Sequence, residues 1–161
     1  MTPEILNIAH QFKTNTGLFK RTTEGIPRER WLEKPGKDSN HLLWVAGHVT
    51  FSRGQIVNTL GTPWTDPWAG LFAGGTKPAE QNSYPDPVEI ARVWDEVSEK
   101  LAAALEAATP EALAKPAPAG RAPQFDGLVS GKIAFLSLHE AYHMGQMGFL
   151  RKWLGYGQTV G

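Results

Sequence analysis

At 161 residues and a formal net charge of zero, the chain has room for one domain with a real core, and it carries no broad field that would favour nucleic acid or anionic lipid. It has no cysteine, which excludes disulfides, cysteine-based zinc sites and a thiol nucleophile of its own, and which fits a reducing cytoplasm. Six tryptophans argue against disorder. No segment approaches the roughly 20 apolar residues of a membrane span, and the start, MTPEILNIAHQFKTN, does not read as a signal peptide. The expectation is a soluble cytoplasmic protein, one domain over residues 1–161.

The first predicted helix runs from about Thr2 to Glu24. Thr2, Pro3 and Glu4 supply a cap, a first-turn proline and an acidic first turn. Ile5, Ile8, Phe12 and Phe19 recur at helical spacing, Gly25 and Pro27 close the element, and His10 falls away from that stripe, on the surface. The second runs from about Asn40 to Leu60, capped by Asp38 or Ser39 and stopped by Gly61 and Pro63. The third opens on Asp86, with Pro87 at the first helical position and Glu89 completing a D-x-x-E box. Thr109-Pro110 ends it, and a short extra turn covers Pro110–Ala114. The fourth long helix runs from about Leu128 to Leu154, with Gly155 as the residue that turns the chain.

No segment alternates like a strand between hairpin turns, so the class is all-α, and four long helices suggest a bundle. The Gly-, Pro- and Trp-rich stretch from Gly61 to Pro85 is long for a helix connection. It could let the second and third helices run parallel. Its Trp64, Trp68 and Phe72 either cover the bundle end or roof a pocket.

The chemistry concentrates on histidine. His139 and His143 lie four apart on the last helix, about 40° apart in direction and about 6 Å in rise, so both can face one metal ion. Their face also carries Phe135, Leu136, Gln146, Leu150 and Trp153, which reads as a core face, where paired neutral imidazoles need polar partners. His48 on the second helix shares an inward arc with Trp44, Phe51, Ser52 and Gln55. Three imidazoles around one ion would leave coordination positions open, as catalysis requires.

Around them, Gln146 could orient a ligand or make a packing bond, and His41 reads as pocket wall or as a residue near the helix start. Glu140 reads as a core-edge salt bridge, while Arg53 and Arg151 read as lying on outer or partner-facing arcs, or simply solvated. No residue is assigned a catalytic role.

The segments Asn40–His48 (NHLLWVAGH), His139–Gln146 (HEAYHMGQ) and Leu150–Gly155 (LRKWLG) together resemble the DinB/YfiT-like superfamily over essentially the whole chain. The resemblance implies an up-down-down-up four-helix bundle with long crossovers and a homodimer. It also implies one divalent metal, nickel or zinc, held by His48, His139 and His143 near one end of the bundle. Superfamily members of known activity include thiol-dependent S-transferases and a mycothiol-dependent maleylpyruvate isomerase. The expectation is therefore a metal-dependent S-transferase that takes a small-molecule thiol and an electrophilic substrate. The alternatives are a hydrolase in which the metal activates water, and a non-catalytic metal-binding dimer.

Overall fold

A computed structural model of the chain describes residues 1, 3–76, 79–119 and 125–160. Among these residues it is all-helical: α1 (Pro3–Thr23), α2 (Leu42–Thr59), α3 (Pro87–Ala107), the single turn α4 (Pro110–Leu113) and α5 (Val129–Trp153). The ends follow local chemistry. Asp86 caps α3, its carboxylate accepting the Val88 N–H at 2.9 Å, with Pro87 in the first turn. Glu89 does not complete the expected capping box. It holds the Arg92 guanidinium through two bonds, because a fork three residues on is a better partner than one backbone N–H. Thr109 caps α4 in the same way as Asp86 caps α3. Gly155, at φ 90°, ends α5 in the left-handed conformation expected of it. The cap assigned to Thr2 lies outside the described residues.

One expectation changes at the start of α2. Neither Asp38 nor Ser39 is the cap. His41 is, and its Nδ1 accepts the Trp44 N–H at 3.0 Å. A histidine can do this only while Nδ1 keeps its lone pair.

Contacts join α1 to α5 and α3, and α2 to α3 and α5, so each long helix packs against two others. The apolar core falls into two clusters. One gathers Phe19, Leu43, Val49, Trp94 and Met147. The other gathers Ile5, Phe12, Ile56, Leu101 and Ile133. Arg53 and Glu140 sit between them in sequence on α2 and α5, and both are fully buried.

The 61–85 connection is pinned rather than draped. Asn58 clasps Trp64 through both its N–H (2.7 Å) and its carbonyl (2.9 Å). Trp64 lies against Gly54 and Phe72 against Gly47, so closely that a Cβ at either glycine would collide with the ring. Trp68 meets Phe72 edge-on at 5.0 Å. The aromatic side chains therefore anchor the connection into the core.

Candidate metal centre

α2 and α5 bring the expected trio together. The Nε2 atoms of His48 and His143 each lie 3.1 Å from Nε2 of His139. One ligand atom from each ring falls within 4.8 Å of the other two. Trp44 stacks on His48 at 4.7 Å and 10°, and Tyr142 meets His143 edge-on, so the rings are braced from outside. His139 and His143 sit near the midpoint of α5.

The hydrogen bonds behind the rings set which nitrogen carries the proton. His48 Nδ1 lies 2.7 Å from the Phe72 carbonyl, which can only accept, so Nδ1 is the protonated atom and Nε2 keeps its lone pair. His143 Nδ1 lies 2.7 Å from Gln146 Oε1, and the Gln146 amide nitrogen donates to the Tyr142 hydroxyl at 3.1 Å. With that assignment His143 also turns a lone pair inward. A neutral His139 has at most one proton on Nε2 and can serve only one of its two neighbours. A cation at the centre satisfies all three, and that is the arrangement these residues fit. The Nδ1 of His139 is buried and meets no hydrogen-bond partner among the described residues.

Burial keeps the trio neutral. It lowers the His139 pKa from 6.5 to about 4, with the neighbouring His143 and His48 adding to the effect. His143 is likewise lowered to about 4 by burial, against the Gln146 bond that favours its charged form. His48 is lowered by burial too, opposed by its bond to Phe72. The lone pairs are therefore available at neutral pH without a proton to displace. Among the described residues no carboxylate or fourth imidazole joins the group.

Two of the trio, His48 and His139, line a pocket of about 590 Å³. Its walls are Phe51, Ser52 and Gln55 from α2, Lys132, Phe135 and Leu136 from α5, residues 73–76 of the long connection, and Ala119. So the connection does wall a pocket, but through its small residues 73–76, while Trp64 and Phe72 are buried as anchors.

Sequence reasoning placed several residues differently. Arg53 is not solvated. It is completely buried, and its five N–H donors are all used: Nε and Nη2 on Glu140 (2.9 and 2.5 Å), Nη2 also on the Phe12 carbonyl (3.2 Å), and Nη1 on Thr16 (2.8 Å) and Ser98 (2.6 Å). Asn15 donates to Glu140 at 3.1 Å, and the guanidinium lies 3.7 Å from the centre of the Trp94 ring. One ion pair thus ties α1, α2, α3 and α5. Glu140 faces into this layer and away from the histidines. Arg151 is half-buried and holds the backbone after α1 through the Glu24 carbonyl at 2.6 Å. Trp153 is 43% exposed, off the core face, while Leu150 and Leu154 take the buried positions. His10 is exposed, as expected. His41 is away from the pocket, packed edge-on against Tyr84 at 5.0 Å.

Lys132 was passed over in sequence. The available signal was its place two turns before His139, on the same face of α5.

Comparison with known proteins agrees with the geometry: the family model described as the DinB superfamily matches residues 11–147. No match was found among curated proteins.

Proposed function

Since the chain belongs to the DinB superfamily, we propose that it is a metal-dependent S-transferase that joins a low-molecular-weight thiol to an electrophile. It uses one divalent ion, nickel or zinc, on His48, His139 and His143. The observation that carries the reading is the convergence of three imidazole nitrogens, two of whose rings, His48 and His139, line an open pocket. An imidazole-only donor set leaves the ion's double charge unneutralised, so the ion when bound supplies Lewis acidity and a preference for an anionic ligand such as thiolate. The chain supplies no thiol of its own, so the sulfur must come from a cosubstrate. In the reaction the thiol gives its proton to solvent, sulfur forms a bond to an electrophilic carbon, and that carbon releases its leaving group with the displaced electron pair. Phe72 and Gln146 hold the ligand rings in their tautomers. Phe51, Phe135 and Leu136 keep the site apolar and help exclude water.

The same proposal includes an up-down-down-up bundle. Three series of contacts support it. Gln11–Ser137, Asn15–Glu140 and Thr22–Arg151 advance together along α1 and α5. Lys20–Asp95 and Met1–Glu106 run in opposition along α1 and α3. His48 meets His143 while Arg53 meets Glu140, so α2 and α5 also oppose one another.

The test begins with elemental analysis of protein purified without an affinity tag. About one divalent ion per chain is expected, and full occupancy in the His48→Ala, His139→Ala double variant would remove the site. A panel of small thiols with an alkylating electrophile should then show conjugation that chelation abolishes. Turnover with water alone, indifferent to added thiol, would replace the transferase by a hydrolase. Metal without any turnover would leave the non-catalytic dimer. Among the described residues no helix is long and apolar enough to cross a membrane.

A further inference from the structure

Among the described residues, Lys132 is the one charged side chain lining the histidine pocket, and it is buried at 8% exposure. Its ammonium donates to the Pro118 carbonyl at 3.1 Å. None of the ion pairs among the described residues involves it. Residues 77–78 and 120–124, outside the described set, contain no acid in the sequence. A buried cation with one carbonyl and no counter-charge among the described residues is costly. Burial accordingly lowers the Lys132 pKa. Such a charge is stabilised when an anion arrives.

Its position gives that anion an address. Lys132 precedes His139 by two turns on α5, and Gln55 follows His48 by two turns on α2. Both line the same pocket, with Phe51 and Leu136 between them and the histidines. The pocket is thus a slot with imidazole nitrogens at one end, an apolar waist, and an ammonium with an amide at the other. The two ends are separated by about 10 Å of helix rise.

We propose that Lys132, with Gln55 beside it, is an anion subsite, and that the molecules used by this site include a carboxylate held about two helical turns from the histidine trio. The proposal rests on the thiol-transferase reading. The carboxylate belongs either to the thiol's own tail or to the electrophile lying beside it.

The experiment uses the cobalt(II)-loaded protein and two thiols of equal length, 6-mercaptohexanoate and 6-mercaptohexanol, followed by calorimetry and by the sulfur-to-cobalt absorption band. The carboxylate is expected to bind about tenfold more tightly in the native chain. In Lys132→Gln, which can still donate to Pro118, the two should bind alike, and Lys132→Arg should restore the difference. Equal affinities in the native chain, or a preference that survives Lys132→Gln, would overturn the subsite while the absorption band still reports on thiol binding. A lysine-dependent preference without the band would keep the subsite and remove the thiol reading; no binding by either probe would remove both. Hexanoate against hexanamide, added after saturation with 2-mercaptoethanol, allots the source. A lysine-dependent preference there places the carboxylate on the electrophile, and its loss places it on the thiol.

Discussion

Arg53 is where a single side chain does most for this fold. Its five donors meet five acceptors on the three other long helices, and it lies over the Trp94 ring. Removing one member of a buried pair strands the other charge, so Arg53→Met should lower the unfolding free energy in urea by roughly 3–5 kcal/mol. The double variant Arg53→Met, Glu140→Leu should recover part of that loss, since no lone charge remains; a double variant no better than the single would contradict the account. The pair was legible in principle. Arg53 falls four after Val49 and four before Val57, and Glu140 four after Leu136 and four before Met144, so each charge interrupts an apolar stripe. Read one helix at a time, each looks like a solvated residue, and only the packing of α2 against α5 cancels one with the other. His41 makes a different point at the same scale. Burial, with Lys34 nearby, lowers its pKa from 6.5 to about 4. Its cap needs the neutral ring. Between those two values the unfolded chain binds the proton and the folded chain does not, so stability is complete above about pH 6.5 and falls as pH drops toward 4. His41→Asn, which can still cap, should flatten the acid side of the stability curve in metal-free protein; an unchanged slope would show that His41 does not carry it.

Among the elements, α2 has the most unusual surface, because two of its glycines serve a connection rather than a turn. Gly47 and Gly54 are the floors on which Phe72 and Trp64 rest. A glycine inside a helix costs about 0.5–1 kcal/mol relative to alanine; here the cost is offset by seating a large ring against the backbone. The seating also reaches the candidate site, since the carbonyl that fixes His48 belongs to Phe72 itself. Gly47→Ala should therefore cost about 1–3 kcal/mol by overpacking, and it should also weaken metal binding measured by competition with a chelator. Stability lost with affinity unchanged would detach the connection from the site. The four long helices were readable because apolar spacing and the glycines and prolines at their ends agree along the chain, although the cap of α2 did not follow, and the sequence boundaries fall within a few residues of Leu42–Thr59 or Val129–Trp153. The connection was not readable in that way. Its tryptophans have no period, and whether they face a ligand or the core depends on two glycines far back in sequence.

At the scale of the whole molecule, the outer face of α5 is the feature that the single chain does not use. Leu138, Tyr142 and Phe149 are each about 60% exposed, and Trp153 is 43% exposed, on one helical stripe. Gly145 sits in the middle of that stripe, and a Cβ placed there would meet nothing within 4 Å. Unlike Gly47 and Gly54, it has no neighbour among the described residues to justify the loss of helix propensity. A second copy would supply one: two α5 helices crossing about a two-fold axis at Gly145 could approach closely and cover both sets of large side chains, an isologous contact. The homodimer that the family resemblance implies would be built on this face, and it would hold the Tyr142 ring that braces His143. Sedimentation equilibrium should accordingly return twice the chain mass of 17.6 kDa. Gly145→Leu and Phe149→Glu should each return the single mass with helix content unchanged, because both positions lie outside the core. The glycine variant is the sharper of the two. Leucine adds apolar surface and helix propensity, so on hydrophobicity alone it would strengthen association, and only a contact that needs the missing Cβ is broken by it. A dimer that survives Gly145→Leu would move the interface to another face.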